Sequence, residues 1–333
     1  MSGSKPDEDI GFHLAAVLFS AEIRTSAGGA RFRAVQFPIK TAFLFLLSLA
    51  LAHAETLTIA TYNLENYGPA NRMTEAGYRK DYPKPEAEKR ALRQVIRGLN
   101  ADVLVLQEMG GQPYLDELRR DLKAEGVDYP HAALASASDA DRHLAIISRR
   151  PLTAVATHTD LEFKYFGTME GVKRGLLEAT IATDAGKVTI FTLHLKSRLT
   201  ERSDDSASTI RRAGEATAIR DRVLRRFPVP AEARFLILGD CNDGKTSRAA
   251  AFLQKRGKTE ISWLLPAADS RGELWTHLYR REETYTRVDQ IFVSPGLKSA
   301  VKESVARIFD GAGVREASDH RPVSVVLELA ARK

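Results

Sequence analysis

The 333-residue sequence contains one cysteine, Cys241, so the chain cannot form an intrachain disulfide. A single thiol is also too few for a cysteine-rich zinc site. Cys241 lies between two polar residues at the end of an apolar run, where a small buried side chain is a simpler interpretation than a catalytic thiol. The composition therefore excludes a disulfide-stabilised fold and directs attention to oxygen and nitrogen ligands.

Long hydrophobic runs are also missing, and none reaches the roughly 20 apolar residues of a membrane-spanning helix. The run 41–51 follows the basic residues Arg31, Arg33 and Lys40 and precedes the small-residue site 52–54. A basic segment, a short apolar core and an Ala-x-Ala cleavage site are typical of a secretory signal. We therefore expect an exported protein, periplasmic or secreted, with a buried N-terminal helix as the alternative interpretation.

These features divide the chain into three segments. Residues 35–54 are interpreted as the signal peptide, and the mature chain is expected to begin at Glu55. Residues 1–34 lack the periodicity of a packed element, so we expect them to be disordered or untranslated, with translation starting near Val35. The remaining segment, 55–333, is within the size range of a single α/β domain.

Neither sign of charge dominates the sequence, because 49 Lys and Arg residues stand against 43 Asp and Glu residues and the net charge is +6. Such a mild basic excess is compatible with a polyanionic substrate without requiring one. Apolar residues at helical spacing predict helices over 86–100, 114–123 and 206–227. Strands alternate with these helices in the first half and crowd together in the second, which predicts an α/β sandwich. We expect this domain to be a monomer.

Several short apolar runs end in acids, amides or histidines. A short apolar run bounded by turn residues is typical of a buried strand. In the run 235–244, Gly239 lets the backbone turn, and Asp240 and Asn242 follow it. The comparable residues on the other runs are Asn63, Glu108, His194, Asp289, Asp319 and His320. One polar turn after a strand is common, but so many polar strand ends predict a single polar cluster.

The same residues carry a resemblance to a known family. In chain order they are Asn63, Gln107-Glu108, His194-Leu195, Gly239-Asp240-Cys241-Asn242, Arg287-Val288-Asp289 and Ser318-Asp319-His320. This ordered set lies within 60–323 and resembles the endonuclease/exonuclease/phosphatase superfamily, which has the DNase I-like fold. The resemblance implies a four-layer α/β sandwich, in which two packed β-sheets are flanked by helices, over residues 55–333.

The residue types also predict a metal site. Carboxylates and amides without thiolates suit a hard cation, Mg²⁺ in the first place and Mn²⁺ or Ca²⁺ as alternatives. Glu108, at the end of a buried strand, is the first candidate ligand, and Asn63 and Asp319 would complete the protein's part of the shell. Such a cation would neutralise charge on a phosphoryl group during its transfer.

His194 and His320 are the acid–base candidates, because imidazole titrates near neutral pH. The resemblance implies that Asp289 orients His320, as carboxylates commonly fix an imidazole tautomer. It also implies that Asp240 polarises or deprotonates the attacking water and that Asn242 holds a phosphate oxygen or that water. These five residues form the predicted catalytic set.

Arg174 is a candidate for binding substrate. It stands where related enzymes carry a phosphate-contacting arginine, and a guanidinium presents a two-pronged donor to phosphate. An ordinary basic residue before a strand is the alternative explanation.

Three functions stay open. The favoured one is an exported metal-dependent phosphodiesterase, namely a nuclease that hydrolyses DNA or RNA with an activated water. The second is a phosphodiesterase or phosphatase for lipid or small-molecule phosphates, and the third is a non-catalytic binding module on the same fold. The motif His194-Leu195 resembles both DNase I-like nucleases and sphingomyelinase-like phosphodiesterases. The choice of substrate is therefore expected to lie in loops such as 68–85 and 161–171.

Overall fold

The computed structural model describes residues 55–74, 76–200 and 202–330. The predicted leader, 1–34, and the predicted signal peptide, 35–54, lie outside the described residues. No helix in the described ranges is both long and apolar enough to cross a membrane.

In the described residues, more of the chain lies in β-strands than in helices. The strands are β1 (Glu55–Tyr67), β2 (Ala70–Thr74), β3 (Gly77–Tyr82), β4 (Val103–Met109), β5 (His131–Ala135), β6 (His143–Ser148), β7 (Leu152–His158), β8 (Glu162–Tyr165), β9 (Thr168–Gly171), β10 (Leu176–Thr183), β11 (Gly186–His194), β12 (Phe235–Asp240), β13 (Lys255–Arg256), β14 (Thr259–Glu260), β15 (Trp263–Leu264), β16 (Ala267–Ala268), β17 (His277–Tyr279), β18 (Thr284–Thr286), β19 (Asp289–Val293), β20 (Ala306–Ile308) and β21 (Val323–Leu329). The α-helices are α1 (Glu86–Leu99), α2 (Gln112–Ala124), α3 (Thr209–Arg226), α4 (Arg248–Gln254) and α5 (Val314–Ala317). Short 3₁₀ helices cover Ser203–Ser208, Pro230–Glu232, Pro295–Ala300 and Lys302–Ser304.

Two large sheets form the centre of the fold. Within the described part of the chain, the first has seven strands in the order β16-β20-β21-β1-β4-β6-β5, and the second has six in the order β15-β19-β12-β11-β10-β7. Their facing sides share one apolar core, in which Ile59 of the first sheet is buried together with Ile190 and Leu238 of the second. The two sheets therefore pack face to face as a sandwich.

Helices cover the outer faces of both sheets. Helices α1 and α2 bury Leu92 and Leu118 in a second core together with Tyr62 of the first sheet. Helices α3 and α4 do the same on the second sheet, where Ile219 of α3 shares a third core with Phe191. The predicted four-layer α/β sandwich is thereby confirmed.

All three predicted helices form, and their ends differ from the prediction by at most three residues. The largest difference is at α3, which begins at Thr209 instead of residue 206. The carboxylate of Asp205 accepts the backbone N–H groups of Ile210 (2.8 Å) and Arg211 (3.0 Å). Because these N–H groups have no partner inside the helix, the carboxylate determines where the helix starts.

The strand register collects the predicted site residues. Asn63 lies opposite Gln107 in the parallel pair β1–β4, and His194 lies opposite Asp240 in the parallel pair β11–β12. The antiparallel pair β12–β19 places Asp240 opposite Asp289. The polar ends of these strands therefore meet at one edge of the sandwich.

Gly239 allows strand β12 to run close to its neighbour directly before Asp240. Its φ is +144°, and a Cβ atom at this position would lie 2.0 Å from the carbonyl oxygen of Leu193 on β11. A side chain here would therefore have to displace the backbone that carries Asp240.

We expect Gly239→Ala to lower the free energy of unfolding by about 2–4 kcal/mol, because it adds backbone strain to overpacking. Denaturant unfolding of the variant beside the wild type measures this difference. Gly244→Ala, in the loop after β12, is the matched control, since a Cβ atom there meets no other atom within 4 Å. Equal stability of the two variants would contradict the explanation.

Candidate active site

The buried carboxylate of Asp240 is the centre of the site. Its Oδ2 atom accepts a hydrogen bond from Asn63 Nδ2 (3.0 Å) and lies 3.4 Å from His194 Nε2 and 3.9 Å from His320 Nε2. Its Oδ1 atom accepts the backbone N–H of Asn242 (2.7 Å). Four predicted site residues thus meet around the Asp240 side chain, and three of them, Asn63, His194 and His320, come from distant parts of the chain. Burial raises the pKa of Asp240, against the opposing effect of His320.

Asp289 holds the ring of His320. The distance between His320 Nδ1 and Asp289 Oδ2 is 2.9 Å, and both residues are buried. The Thr276 hydroxyl accepts the backbone N–H of Asp289 (3.1 Å), and the Ser318 hydroxyl accepts that of His320 (3.0 Å). Burial alone favours the neutral imidazole, but the Asp289 carboxylate outweighs it and raises the pKa of His320 well above its usual value. The predicted pairing of Asp289 with His320 is present.

His194 has the opposite electrostatic environment. Its ring is buried, and its Nδ1 atom has no hydrogen-bond partner among the described residues. Burial, with the nearby positive charge of Arg174, lowers the pKa of His194 well below its usual value. The surroundings therefore favour the neutral imidazole at His194 and the protonated imidazole at His320, and both rings lie near Oδ2 of Asp240.

Glu108 is held at the end of β4 by an unusual backbone conformation. Its φ is +58°, in the left-handed region that non-glycine residues seldom adopt, and its Oε2 atom accepts the backbone N–H of Asn66 (3.0 Å). Burial and the negative charge of Asp319 raise the pKa of Glu108. Strained residues that are held in this way concentrate at functional sites.

Asp319 is held in place through its backbone N–H. Its N–H donates to Glu65 Oε2 (2.9 Å), while its carboxylate lies 3.7 Å from His277 Nε2 and 3.9 Å from His320 Nε2. Burial alone would raise the pKa of Asp319, but the neighbouring imidazoles lower it below the usual range. The carboxylate is partly exposed and forms no hydrogen bond shorter than 3.5 Å with a described residue.

Arg174 and Asn242 meet at the carbonyl oxygen of Leu195. Asn242 Nδ2 donates to it at 2.9 Å, and Arg174 Nη1 donates at 3.4 Å. The guanidinium of Arg174 is buried and also donates through Nε to Asp139 (2.9 Å). Arg174 is therefore anchored beside the residue that follows His194, with part of its charge balanced by Asp139.

Sequence reasoning did not single out several residues that the fold brings to this site. His277 forms an isolated antiparallel bridge with His320, and the two ring centroids are 4.6 Å apart. Glu65 holds the backbone of Asp319, and Arg142 Nε lies 3.9 Å from Glu108 Oε1. The one available signal was Glu65, two residues after Asn63 on the same polar strand end.

The donor set fits a hard cation. Two groups of residues have ligand atoms within 4.8 Å of one another, namely His277 with Asp319 and His320, and Asp240 with Asp289 and His320. Glu108 lies outside both groups, yet Asp319 is near enough to raise its pKa. Two carboxylates that repel each other in this way are stabilised by a cation between them.

Comparison with known proteins places the chain in a family. Residues 60–320 match the model of the Endonuclease/Exonuclease/phosphatase family, so the protein belongs to that family. No curated protein sequence matches the chain significantly.

Solved structures with the same fold share little sequence with this chain. An endonuclease/exonuclease/phosphatase protein from Bacteroides vulgatus is 16% identical, with a TM-score of 0.58, and the match covers 83% of this chain and 99% of that one. Sphingomyelinase C from Streptomyces griseocarneus is 16% identical, with a TM-score of 0.56 and coverage of 84% and 100%. A mutant of beta toxin from Staphylococcus aureus with bound magnesium ions is 15% identical, with a TM-score of 0.56 and coverage of 84% and 100%. At these identities the likeness concerns the fold.

The two imidazoles are expected to titrate on opposite sides of the usual histidine pKa of about 6.5. The ring of His320 should stay protonated above this pH and the ring of His194 neutral below it, as NMR of the ring protons can measure. The raised pKa of His320 stabilises the fold fully below pH ~6.5, and this contribution is lost as the pH rises through the folded-state pKa. Asp289→Asn should therefore lower the denaturation midpoint more at acidic than at alkaline pH. The same titration midpoint for both rings would contradict this assignment.

Proposed function

We propose that the protein is a divalent-metal-dependent phosphodiesterase that hydrolyses nucleic acid. The convergence of Asn63, His194 and His320 on the buried carboxylate of Asp240 is the observation that carries this proposal. It combines a proton acceptor, a proton donor and an amide in one small volume, next to the acidic residues Glu108 and Asp319. Phosphodiester hydrolysis requires an activated nucleophile, stabilisation of charge on the phosphoryl oxygens and protonation of the leaving oxygen.

Glu108, Asn63 and Asp319 would hold the cation, for which we propose Mg²⁺, with Mn²⁺ or Ca²⁺ as alternatives. When bound, it would act as a Lewis acid that draws negative charge from the phosphoryl oxygens. The donor set agrees with this choice, because the Asp319 carboxylate is partly exposed and has no close hydrogen bond to a described residue. A soft or thiolate-preferring metal has no matching ligand, since Cys241 is buried and burial raises its pKa well above the usual value.

In this proposal, Asp240 activates the attacking water. Burial raises its pKa, which makes the carboxylate a better proton acceptor, and Asn63 fixes its orientation. The neutral ring of His194 adds a second polar contact to the same oxygen without adding charge. A water near Oδ2 of Asp240 can therefore lose its proton to this carboxylate as it attacks phosphorus.

In this proposal, His320 is the proton donor to the phosphate or to the leaving oxygen. Its Nδ1 atom is occupied by Asp289, so Nε2 is the nitrogen that faces the Asp240 side of the site and can donate a proton to a phosphate or leaving oxygen. The Asn242 side chain and the Arg174 guanidinium lie nearby on the Leu195 carbonyl. Both groups add hydrogen-bond donors of the kind that bind phosphate.

The intact set of site residues argues against the alternative of a non-catalytic binding module. If Glu108 holds a cation against the substrate, Glu108→Gln should reduce kcat by at least about 10²-fold, or about 3 kcal/mol in activation free energy. Its thermal stability should stay close to that of the wild type, and chelation followed by Mg²⁺ should abolish and then restore wild-type turnover. Glu260→Gln, at an exposed position on β14, is the matched control. Full activity in a chelator would overturn the metal-dependent mechanism.

A substrate panel separates nucleic acid from lipid and small phosphate esters. The fold is shared with sphingomyelinase C, so the panel should include sphingomyelin beside plasmid DNA, RNA and a small chromogenic phosphodiester. Our proposal expects turnover of nucleic acid and of the chromogenic diester. Turnover of sphingomyelin alone would reassign the substrate while leaving the chemistry unchanged.

We also propose that the enzyme is exported, on the strength of the basic, apolar and Ala-x-Ala segments that precede Glu55. N-terminal sequencing of the protein from expressing cells should find Glu55 or a residue next to it. Recovery of an intact chain from the cytoplasm, beginning at Met1, would overturn this proposal.

A further inference from the structure

The hairpin of β2 and β3 extends from the loop that carries the site. Segment 70–84 contains four basic residues, Arg72, Arg79, Lys80 and Lys84, against two acidic ones. A two-stranded hairpin on its own is marginally stable in water. Its contacts with the rest of the protein therefore determine its position.

Those contacts tie the hairpin to the site loop. The Arg72 guanidinium donates to the carbonyl oxygens of Glu65 (3.4 Å), Asn66 and Gly68 (3.3 Å). The buried Lys84 ammonium donates to the Glu65 carbonyl oxygen at 3.2 Å. Asn66 is the residue whose N–H holds Glu108, and Glu65 holds Asp319. The base of the hairpin is therefore directly connected to the residues that support the proposed metal ligands.

The outer part of the hairpin exposes large side chains. Tyr78 is 57% exposed, Tyr82 is 40% exposed and Met73 is 77% exposed. Met73 is paired with Tyr78 across the two strands, so these two side chains share one face. Large side chains exposed in this way contribute little to the stability of the hairpin and are available to a ligand.

The basic side chains of the hairpin are also arranged in a way that does not stabilise it. Arg72 and Arg79 lie directly opposite each other across the strands, a position in which like charges destabilise a hairpin. Arg79 and Lys80 are exposed, and neither forms an ion pair with another described residue. An anionic ligand along this surface would offset the repulsion.

We propose that the β2–β3 hairpin is a binding arm for a single-stranded segment of nucleic acid, on which a base stacks against Tyr78 while Lys80, on the same face of β3, contacts a phosphate. This inference rests on the proposed function and names the part of the chain that selects a polynucleotide. Aromatic rings interleaved with basic side chains are the usual surface for single strands, because every base has a face that can stack.

The composition of the arm favours nucleic acid over a lipid bilayer. A hairpin that inserts into a bilayer needs an apolar tip, whereas Thr74, Ala76 and Gly77 at this tip are polar or small. Met73 is the one strongly exposed aliphatic side chain on the two strands. The exposed rings are tyrosines, whose hydroxyl groups suit a wet surface.

Binding can be measured apart from cleavage in the Glu108→Gln background, using a fluorescent single strand of about 16 nucleotides. Tyr78→Ala should weaken binding about tenfold, the loss expected for one stacked base, whereas Tyr82→Ala, on the other face of the hairpin, should leave the affinity unchanged. Tyr78→Phe keeps the ring and should restore the affinity. A role of Tyr78 in stability alone would instead change the denaturation midpoint and leave affinity unaltered.

The salt dependence of binding tests the cations. Between about 50 and 200 mM salt, Lys80→Gln should reduce the slope of log affinity against log salt by about 0.7, the value for one phosphate contact on a single strand. Lys187→Gln is the matched control, because this exposed lysine lies near the start of β11, at the opposite end from His194. Equal slopes for the two variants would overturn the assignment of phosphate contacts to the arm.

Hydrolysis of the small chromogenic diester distinguishes failure of the arm from failure of the active site. With Glu108 intact, the arm variants Tyr78→Ala and Lys80→Gln should hydrolyse this diester at the wild-type rate and show a raised KM for long single strands. If every arm variant binds the oligonucleotide as tightly as the wild type while the diester is hydrolysed, the arm proposal is wrong and the proposed chemistry stands. If the wild type hydrolyses neither substrate with metal, the proposed function fails. Weaker oligonucleotide binding by Tyr78→Ala would still support the arm in that case. If the protein binds sphingomyelin vesicles through the hairpin and does not bind single strands, the arm proposal is overturned in favour of a lipid-binding surface.

Discussion

The burial of the Asp240 carboxylate is the constraint on which this site depends. A charged group removed from water is costly unless it is paired and hydrogen-bonded, and no single strand can supply enough partners. Asn63 comes from the first sheet, His194 from the second, and His320 from the segment before β21. The sandwich must therefore close before the carboxylate is stabilised, which joins assembly of the fold to assembly of the site.

The two buried histidines of the site have opposite pKa shifts because their neighbours differ. His320 is buried against the Asp289 carboxylate, which favours its protonated form, and His194 is buried near the Arg174 guanidinium, which favours its neutral form. An acid and a base can therefore exist together at one pH, which is a general requirement of acid–base catalysis. The surrounding residues, rather than the imidazoles themselves, assign these states.

The proposed metal ligand Asn63 and the proposed substrate arm belong to one stretch of chain. Strand β1 shifts register with β4 after Asn63, where Glu65 and Asn66 adopt positive φ. This irregular turn aims the Asn66 N–H at Glu108 and continues into the hairpin that Arg72 anchors. The irregular turn therefore supports the proposed ligand Glu108. It also leads into the hairpin that we propose selects the substrate.

Much of this arrangement could be predicted from sequence, because a buried strand that ends in a polar residue is a local pattern and needs no knowledge of distant contacts. That pattern identified residues such as Asp240 and His320, helical spacing predicted the three longer helices, and the family resemblance implied the two packed sheets. None of these signals could identify His277, which reaches the site through a bridge to a residue 43 positions away, or the exposure of Tyr78 and Tyr82. The sequence by itself determined which polar groups stand at the ends of buried strands. Only the tertiary structure decided which of them meet, how each is charged and which rings stay in water, since proximity and burial depend on how distant segments pack.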